Sequence, residues 1–187
     1  MMNKTVNLVK PTLAMKDSYL DFASEWEKSN EEIIPSPVRL LGESYENWLD
    51  KVDKLERKET CPEDLVPAHT YFLVEDERIL GAISIRHELN EYLFHYGGHI
   101  GYGVRPSERR KGYAVFMLKR ALLILKEIGV SKVLVTCDKN NLASTKTILK
   151  CGGKLENEVN ESEKVVQRYF FYFNEWSQTM NNNSRFP

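Results

Sequence analysis

The sequence predicts a mixed α/β domain, a mostly antiparallel twisted sheet with helices on both faces. Three observations predict it. The first third of the chain carries two stretches with apolar residues at helical spacing. After Thr70 the character changes to β-rich runs separated by short turns. A long, nearly all-apolar helix pattern, Tyr113 to Ile128, then stands between two strand-like runs. Helices and strands in this order bury their apolar faces in stacked layers.

Each element has a local reason. Val6 to Val9 reads as a first strand, with Pro11 behind it. Tyr19, Phe22, Ala23 and Trp26 recur at helical spacing, which predicts a helix over Lys16 to Lys28. Glu31 to Ser44 holds two prolines and reads as a loop. Ser44 is placed to cap a second helix, in which Tyr45, Trp48, Leu49, Val52 and Leu55 share one face. Arg57 to Thr70 is a polar, proline-punctuated connection, the kind of long loop that often binds something. TYFLVE and ILGAISIRH form a hairpin around the charged turn Glu75 to Arg78. The run HELNEYLFHYGG bridges to a strand from His99 to Val104. The Tyr113 to Ile128 helix is apolar on most of its circumference, so it lies against a sheet, and Gly129 is its stop signal. Val133 to Cys137 is a buried strand, Ser144 to Lys150 a helix and Gly152-Gly153 a turn. Leu155 to Val159 and Val165 to Phe173 make a last hairpin. With no repeats and no linker, the reading is one domain over residues 1–176 and a frayed polar tail over 177–187.

Composition narrows the class. The chain has 187 residues, 42% hydrophobic and 28% charged, which suits a globular protein with a proper core. A net charge of −1 gives no general attraction to nucleic acid or to an anionic membrane. No apolar run reaches the ~18 residues of a membrane span. The start, MMNKTVNLVKPTL, lacks the apolar core of a signal peptide. Cys61, Cys137 and Cys151 cannot all pair, and none has metal-ligand spacing. The expectation is a reduced, cytoplasmic protein that uses no metal.

The most informative stretch is VRPSERRKGYA, Val104 to Ala114. It joins a strand to a helix through a basic loop containing a glycine. A helix start offers free N–H groups and the positive end of the macrodipole. Gly112 has no Cβ, so a phosphate approaches the backbone there, and small Ala114 leaves the next turn open. Arg109, Arg110 and Lys111 add positive charge. Downstream, NLAS (Asn141 to Ser144) follows the strand VLVTCD and begins a helix that ends at Cys151-Gly152-Gly153.

These two segments, in this order and spacing, resemble the acyl-CoA-binding signature of the GNAT superfamily of N-acetyltransferases. Arg109, Gly112 and Ala114 fit its [QR]-x-x-G-x-[GA] pattern, and Asn141 to Gly153 fits its N-x-x-S…K-x-G-[FG] pattern. The whole chain also resembles a bacterial branch of that superfamily, with NEYL and GGHIGYGVRPSERRKGYA as its most distinctive runs. The branch names no substrate. The resemblance implies a GNAT-like fold and acetyl-CoA as acyl donor. It also implies an amine acceptor, small molecule or protein, that attacks directly in a ternary complex. A monomer or a homodimer is expected.

By the same resemblance, Arg109, Arg110, Lys111, Gly112, Tyr113 and Ala114 hold the pyrophosphate. Tyr102, Gly103 and Val104 pair with the pantetheine arm like an extra strand, and Gly101 and Gly103 permit close approach or mark a bend. Asn141 and Ser144 form the other wall, or simply cap a helix. The oxyanion donor is a backbone N–H near Val104. Many family members carry a tyrosine on the helix after N-x-x-S to protonate the leaving thiolate, but the matching residue here is Ile148.

A protonated amine does not attack, so a general base is useful. His99, at the start of the cofactor strand, is the candidate, against the plainer reading of a histidine bonded at a strand end. His87, Glu88, Glu91 and His95 lie just before it. Asp138 caps or lines the site, and Cys137 reads as a small core residue. Two other readings stay open: a non-catalytic acyl-CoA-binding regulatory module, and an interaction domain built on the aromatic helices, although Trp26, Tyr45 and Trp48 are better explained as core.

Overall fold

The computed structural model describes residues 5–173, so the expected tail over 177–187 lies outside the described residues. In chain order the elements are β1 (Val6–Val9), α1 (Lys16–Lys28), α2 (Tyr45–Leu55), β2 (Ala68–Glu75), β3 (Arg78–Arg86) and β4 (Ile100–Val104). They continue with α3 (Tyr113–Glu127), β5 (Lys132–Asp138), α4 (Leu142–Lys150), β6 (Lys154–Glu161) and β7 (Lys164–Tyr172). The anticipated order is the observed one. The Ser44 side chain accepts the Asn47 N–H at 3.2 Å, as the cap reading requires. Gly129, with φ 90°, ends α3, where Val130 N–H reaches back to Leu125 C=O. The bridge before β4 winds into a π-turn at Leu93–Gly97, which sequence periodicity does not reveal.

The strands form two sheets. β1-β2-β3-β4 is antiparallel throughout, and β5-β7-β6 is a second antiparallel sheet. α3 lies between them and presents Met117, Leu118, Ala121, Leu122 and Leu125, all fully buried, to Leu80, Ile83, Val133 and Phe171. On the opposite face of the first sheet, α1 and α2 cover Phe72, Val74, Ile79 and Ala82 with aromatic side chains. The Trp48 ring stacks on Tyr19 at 5.6 Å and on Phe72 at 5.9 Å. Trp26, Tyr45 and Trp48 are therefore core, which removes the ground for an interaction domain built on them.

The same aromatics fix the loop between α1 and α2. Tyr19 Oη donates to Val38 C=O at 2.8 Å, and Trp48 Nε1 donates to Pro37 C=O at 2.9 Å. Arg39 Nε donates to Ile33 C=O at 2.7 Å. The segment Glu31 to Val38 is thereby held as a strap across the face of β4.

Candidate active site

Between the C-terminal end of β4 and the first turns of α3 and α4 lies a cleft of about 880 Å³. The strap closes one side of it through Glu31 and Ile34. Tyr102, Gly103, Val104, Arg109, Arg110, Gly112, Tyr113, Ala114, Asn141 and Ser144 all line it. Two separate sequence motifs thus meet across one cavity.

The loop before α3 is shaped for an anion. Arg110 (φ 66°) and Gly112 (φ 89°) are left-handed, and Lys111 between them is not. Such alternation turns successive N–H groups to one side. No side chain caps α3, whose first bond runs from Phe116 N–H to Gly112 C=O at 3.1 Å. The helix end is therefore directed at the cleft.

The basic residues of this loop do not act alike. Lys111 does not line the cleft; its ammonium donates to the Glu108 carboxylate at 2.7 Å, which removes it from the expected phosphate set. Arg109 reaches the cleft wall, but its guanidinium forks onto Glu31 at 2.9 and 2.7 Å and covers the Trp26 ring at 5.1 Å. It clamps the strap to the loop. Arg110 lines the cleft and has no carboxylate partner among the described residues. From the opposite wall Lys146 does the same. Lys146 escaped the sequence reading, although it stands three residues after Ala143 on the same helix face.

The register of β4 supplies the middle of the cleft. Arg86 N–H bonds His99 C=O, and Arg105 N–H bonds Leu80 C=O, so the odd-numbered positions of β4 bond β3. The N–H and C=O of Tyr102 and the N–H of Val104 point the other way. The Val104 C=O accepts from Arg109 Nε at 3.3 Å. Across the cleft the Tyr102 hydroxyl and Ser144 Oγ share a hydrogen bond of 2.9 Å, and burial pushes the tyrosine pKa up. Asn141 Oδ1 accepts the Ser144 N–H at 3.0 Å, so the capping reading of Asn141 holds at a residue that also lines the cleft. Asp138 caps the preceding turn by accepting the Asn140 N–H at 2.7 Å. Cys137 is half-buried, with its pKa raised by burial, and among the described residues Cys61, Cys137 and Cys151 form no disulfide.

The glycines of β4 serve the strap. A Cβ on Gly103 would come within 2.7 Å of the Ile34 carbonyl carbon and closer still to its oxygen. A Cβ on Gly101 would meet Pro35 Cβ at 3.1 Å. Both positions face the α1–α2 side, away from the edge that carries the outward Tyr102 and Val104 groups.

His99 is not placed to act as the base. It is 6% exposed, and its Nδ1 accepts the Leu134 N–H at 3.0 Å. Its own N–H donates to Leu134 C=O at 2.7 Å. The residue brackets β4 to β5, and beyond it the two strands part into separate sheets. Burial holds its pKa down at about 4, so at neutral pH the ring is uncharged and its accepting nitrogen is occupied. His87 stacks edge-on against His69 at 4.3 Å, Glu88 lies 4.0 Å from Lys58, and Glu91 and His95 are exposed; none lines the cleft. The two carboxylates that do line it, Glu31 and Glu108, are both ion-paired, and the bond from Arg109 lowers the Glu31 pKa.

A family model described as the acetyltransferase (GNAT) family matches residues 30–152. The chain belongs to this family. No curated protein matches it in sequence. Among solved structures, a microcin C7 self-immunity acetyltransferase, MccE, in complex with acetyl-CoA and AMP superposes with a TM-score of 0.66 at 18% identity, covering 91% of this chain and 93% of that one. The ribosomal L7/L12 α-N-protein acetyltransferase RimL, in complex with coenzyme A, gives 0.67 at 15%, covering 92% and 96%. A spermidine/spermine N-acetyltransferase, SpeG, from Vibrio cholerae gives 0.60 at 16%, covering 94% and 98%. At these identities the likeness is one of fold. Within this GNAT chain, Ile148, which stands where the resemblance places a tyrosine, is fully buried in the core and does not line the cleft.

Proposed function

We propose that the protein transfers an acetyl group from acetyl-CoA to an amine acceptor by direct attack in a ternary complex. One observation carries the reading: the left-handed loop at Arg110 and Gly112, the uncapped start of α3 and the outward edge of β4 converge on one cleft. The cosubstrate supplies an activated acetyl thioester. Loop N–H groups and Arg110 hold its phosphates, with Lys146 facing them. Tyr102 and Val104 align the pantetheine arm through the backbone. The amine nitrogen attacks the carbonyl, the C–N bond forms and the C–S bond breaks. An outward N–H of β4 stabilises the oxygen as it gains charge. Ser144, oriented by Tyr102 and Asn141, is the hydroxyl placed to relay to the departing sulfur the proton that the nitrogen sheds as the amide forms. Among the described residues no unpaired carboxylate or imidazole lines the cleft, so the amine loses its proton to water before it attacks.

The test has two readouts. Acetyl-CoA at 100-fold over its Kd raises stability by about 2.7 kcal/mol. A panel of amines then reports thiol release. An unchanged melting curve at millimolar acetyl-CoA refutes the cofactor assignment. The buried Ile148 and the paired Glu31 and Glu108 favour a second reading, a non-catalytic acyl-CoA-binding regulatory module. Acetyl-CoA binding with no thiol release from any amine selects that reading.

A further inference from the structure

We propose that Arg86 is the acceptor-recognition residue and that the acceptor is an amine bearing an oxyanion, a carboxylate or a phosphate, a few bonds from its nitrogen. The inference rests on the acetyltransferase reading above and deepens it.

Arg86 ends β3 on the face that also carries Ala82 and Ser84. Its Nη1 donates to Gly97 C=O at 3.2 Å and to Gly98 C=O at 3.1 Å. These are neutral acceptors at one corner of the fork. Nε and Nη2 make no hydrogen bond among the described residues, and no carboxylate among them pairs with the guanidinium. Burial is the main influence on Arg86 and lowers its pKa, and the only other group that acts on it is the Tyr92 phenol. Glu161, the nearby acid, is bonded to that phenol at 2.9 Å. The buried Arg105 and Arg168 and the half-buried Arg109 have acidic partners, Asp21 and Glu25, Glu156, and Glu31 respectively, whereas Arg110, which also has none among the described residues, is exposed. Arg86 is half-buried, and a cation partly withdrawn from water gains by pairing with an anion. The unbonded Nε/Nη2 edge has the planar geometry that grips an oxyanion with two parallel bonds.

Its position gives the edge a purpose. Nη2 lies 3.6 Å, and Pro35 Cβ 3.1 Å, from the point where a Gly101 Cβ would stand. The guanidinium and the strap thus flank Gly101. The next residue, Tyr102, turns its backbone groups into the cofactor cleft. Two residues before Gly101, His99 makes the bond to Leu134 at which β4 and β5 part. Arg86 does not itself line the cleft; it stands beside Gly101 on the strap face, one residue before Tyr102, which does line it. An acceptor arriving from that face meets a cation before it meets the acetyl group.

Matched pairs of amines test this on the full chain with acetyl-CoA: the α-amino acids against their carboxamides, and O-phosphoethanolamine against ethanolamine. Thiol release gives kcat/KM, and calorimetry gives acetyl-CoA affinity. At least one anionic amine is expected to exceed its neutral mate by about 30-fold, the order of a charge-assisted pair. Arg86→Met should abolish that difference, mainly through KM, and leave the neutral mate within about threefold of wild type; Arg86→Lys should restore part of it. The phosphate and carboxylate arms show which oxyanion is used. Equal turnover within every pair overturns the proposal, as does Arg86→Met lowering both members alike. Acetyl-CoA binding with no anionic amine acetylated also overturns it while leaving the cofactor site standing. Failure to bind acetyl-CoA overturns the underlying reading instead.

Discussion

Replacing Gly103 with alanine tests whether the strap, rather than the cofactor, demands a glycine there. The new Cβ would lie 2.7 Å from the Ile34 carbonyl carbon, well inside contact distance. Ile34 cannot easily retreat, because its neighbours are pinned through Ile33, Pro37 and Val38. Overpacking of this kind costs about 1–3 kcal/mol. Alanine returns about 0.5–1 kcal/mol by restricting the unfolded chain. With the backbone clash at the upper end of that range, the net loss is about 2 kcal/mol, which in a domain of this size lowers Tm by roughly 4–8 °C. Gly101→Ala is the internal control. Neither glycine has a positive φ, and at Gly101 the nearest neighbour is Pro35 Cβ at 3.1 Å, which needs to give by only tenths of an ångström. That variant should melt close to wild type. Acetyl-CoA affinity should fall in Gly103→Ala as well, since Glu31 and Ile34 line the cleft. Melting curves and calorimetry on the two variants decide the matter. If they melt together, or if Gly103→Ala matches wild type, the strap does not bear on β4 as described.

Arg110→Glu should weaken acetyl-CoA binding about tenfold or more by calorimetry and leave Tm nearly unchanged, because the side chain lines the cleft without an ion pair. His99→Asn should flatten acid lability: the folded pKa of about 4 lies below the unfolded ~6.5, so the native contribution is complete above pH 6.5 and is lost as pH falls toward 4, about 3 kcal/mol in all. Tm measured from pH 7 to 4 should fall less steeply in the variant, whose amide oxygen can still accept the Leu134 N–H. Ile148→Tyr should lower Tm and bring no gain in kcat, because the position is core and not cleft wall. With no side-chain base, kcat/KM should rise about tenfold per pH unit until the amine's own pKa; a plateau near pH 6–7 would reveal a base that this account lacks.

Local signals made most of the fold readable. The α1 pattern Tyr19, Phe22, Trp26 and the Ser44 cap each act within a few residues, and Gly129 and Gly152 end helices by their own φ preference. The turn into α3 was readable for the same reason: Arg110, Gly112 and the start of the helix are contiguous. What sequence could not give was which charges pair. Lys111 and Arg109 look equivalent to Arg110 in the run RRK, yet Glu108 takes the first and Glu31, 78 residues away in sequence, takes the second. His99 looks like a poised base until Leu134 of another sheet occupies its Nδ1. The role of Gly103 depends on Ile34, and nothing near Gly103 announces it.

The acids around the loop before α3 have a kinetic consequence for the proposed cofactor. Glu25, Glu31 and Glu108 set anionic charge against Arg78, Arg105, Arg109 and Lys111 around the loop before α3. Much of the far field that a run of arginines would project is thereby cancelled, leaving Arg110 and Lys146 to act at short range. A polyphosphate ligand approaching from solution is steered weakly and held mainly by backbone dipoles once inside. Encounter rates should therefore depend only gently on ionic strength, and capture should be selected by the shape of the loop more than by the total charge of the ligand.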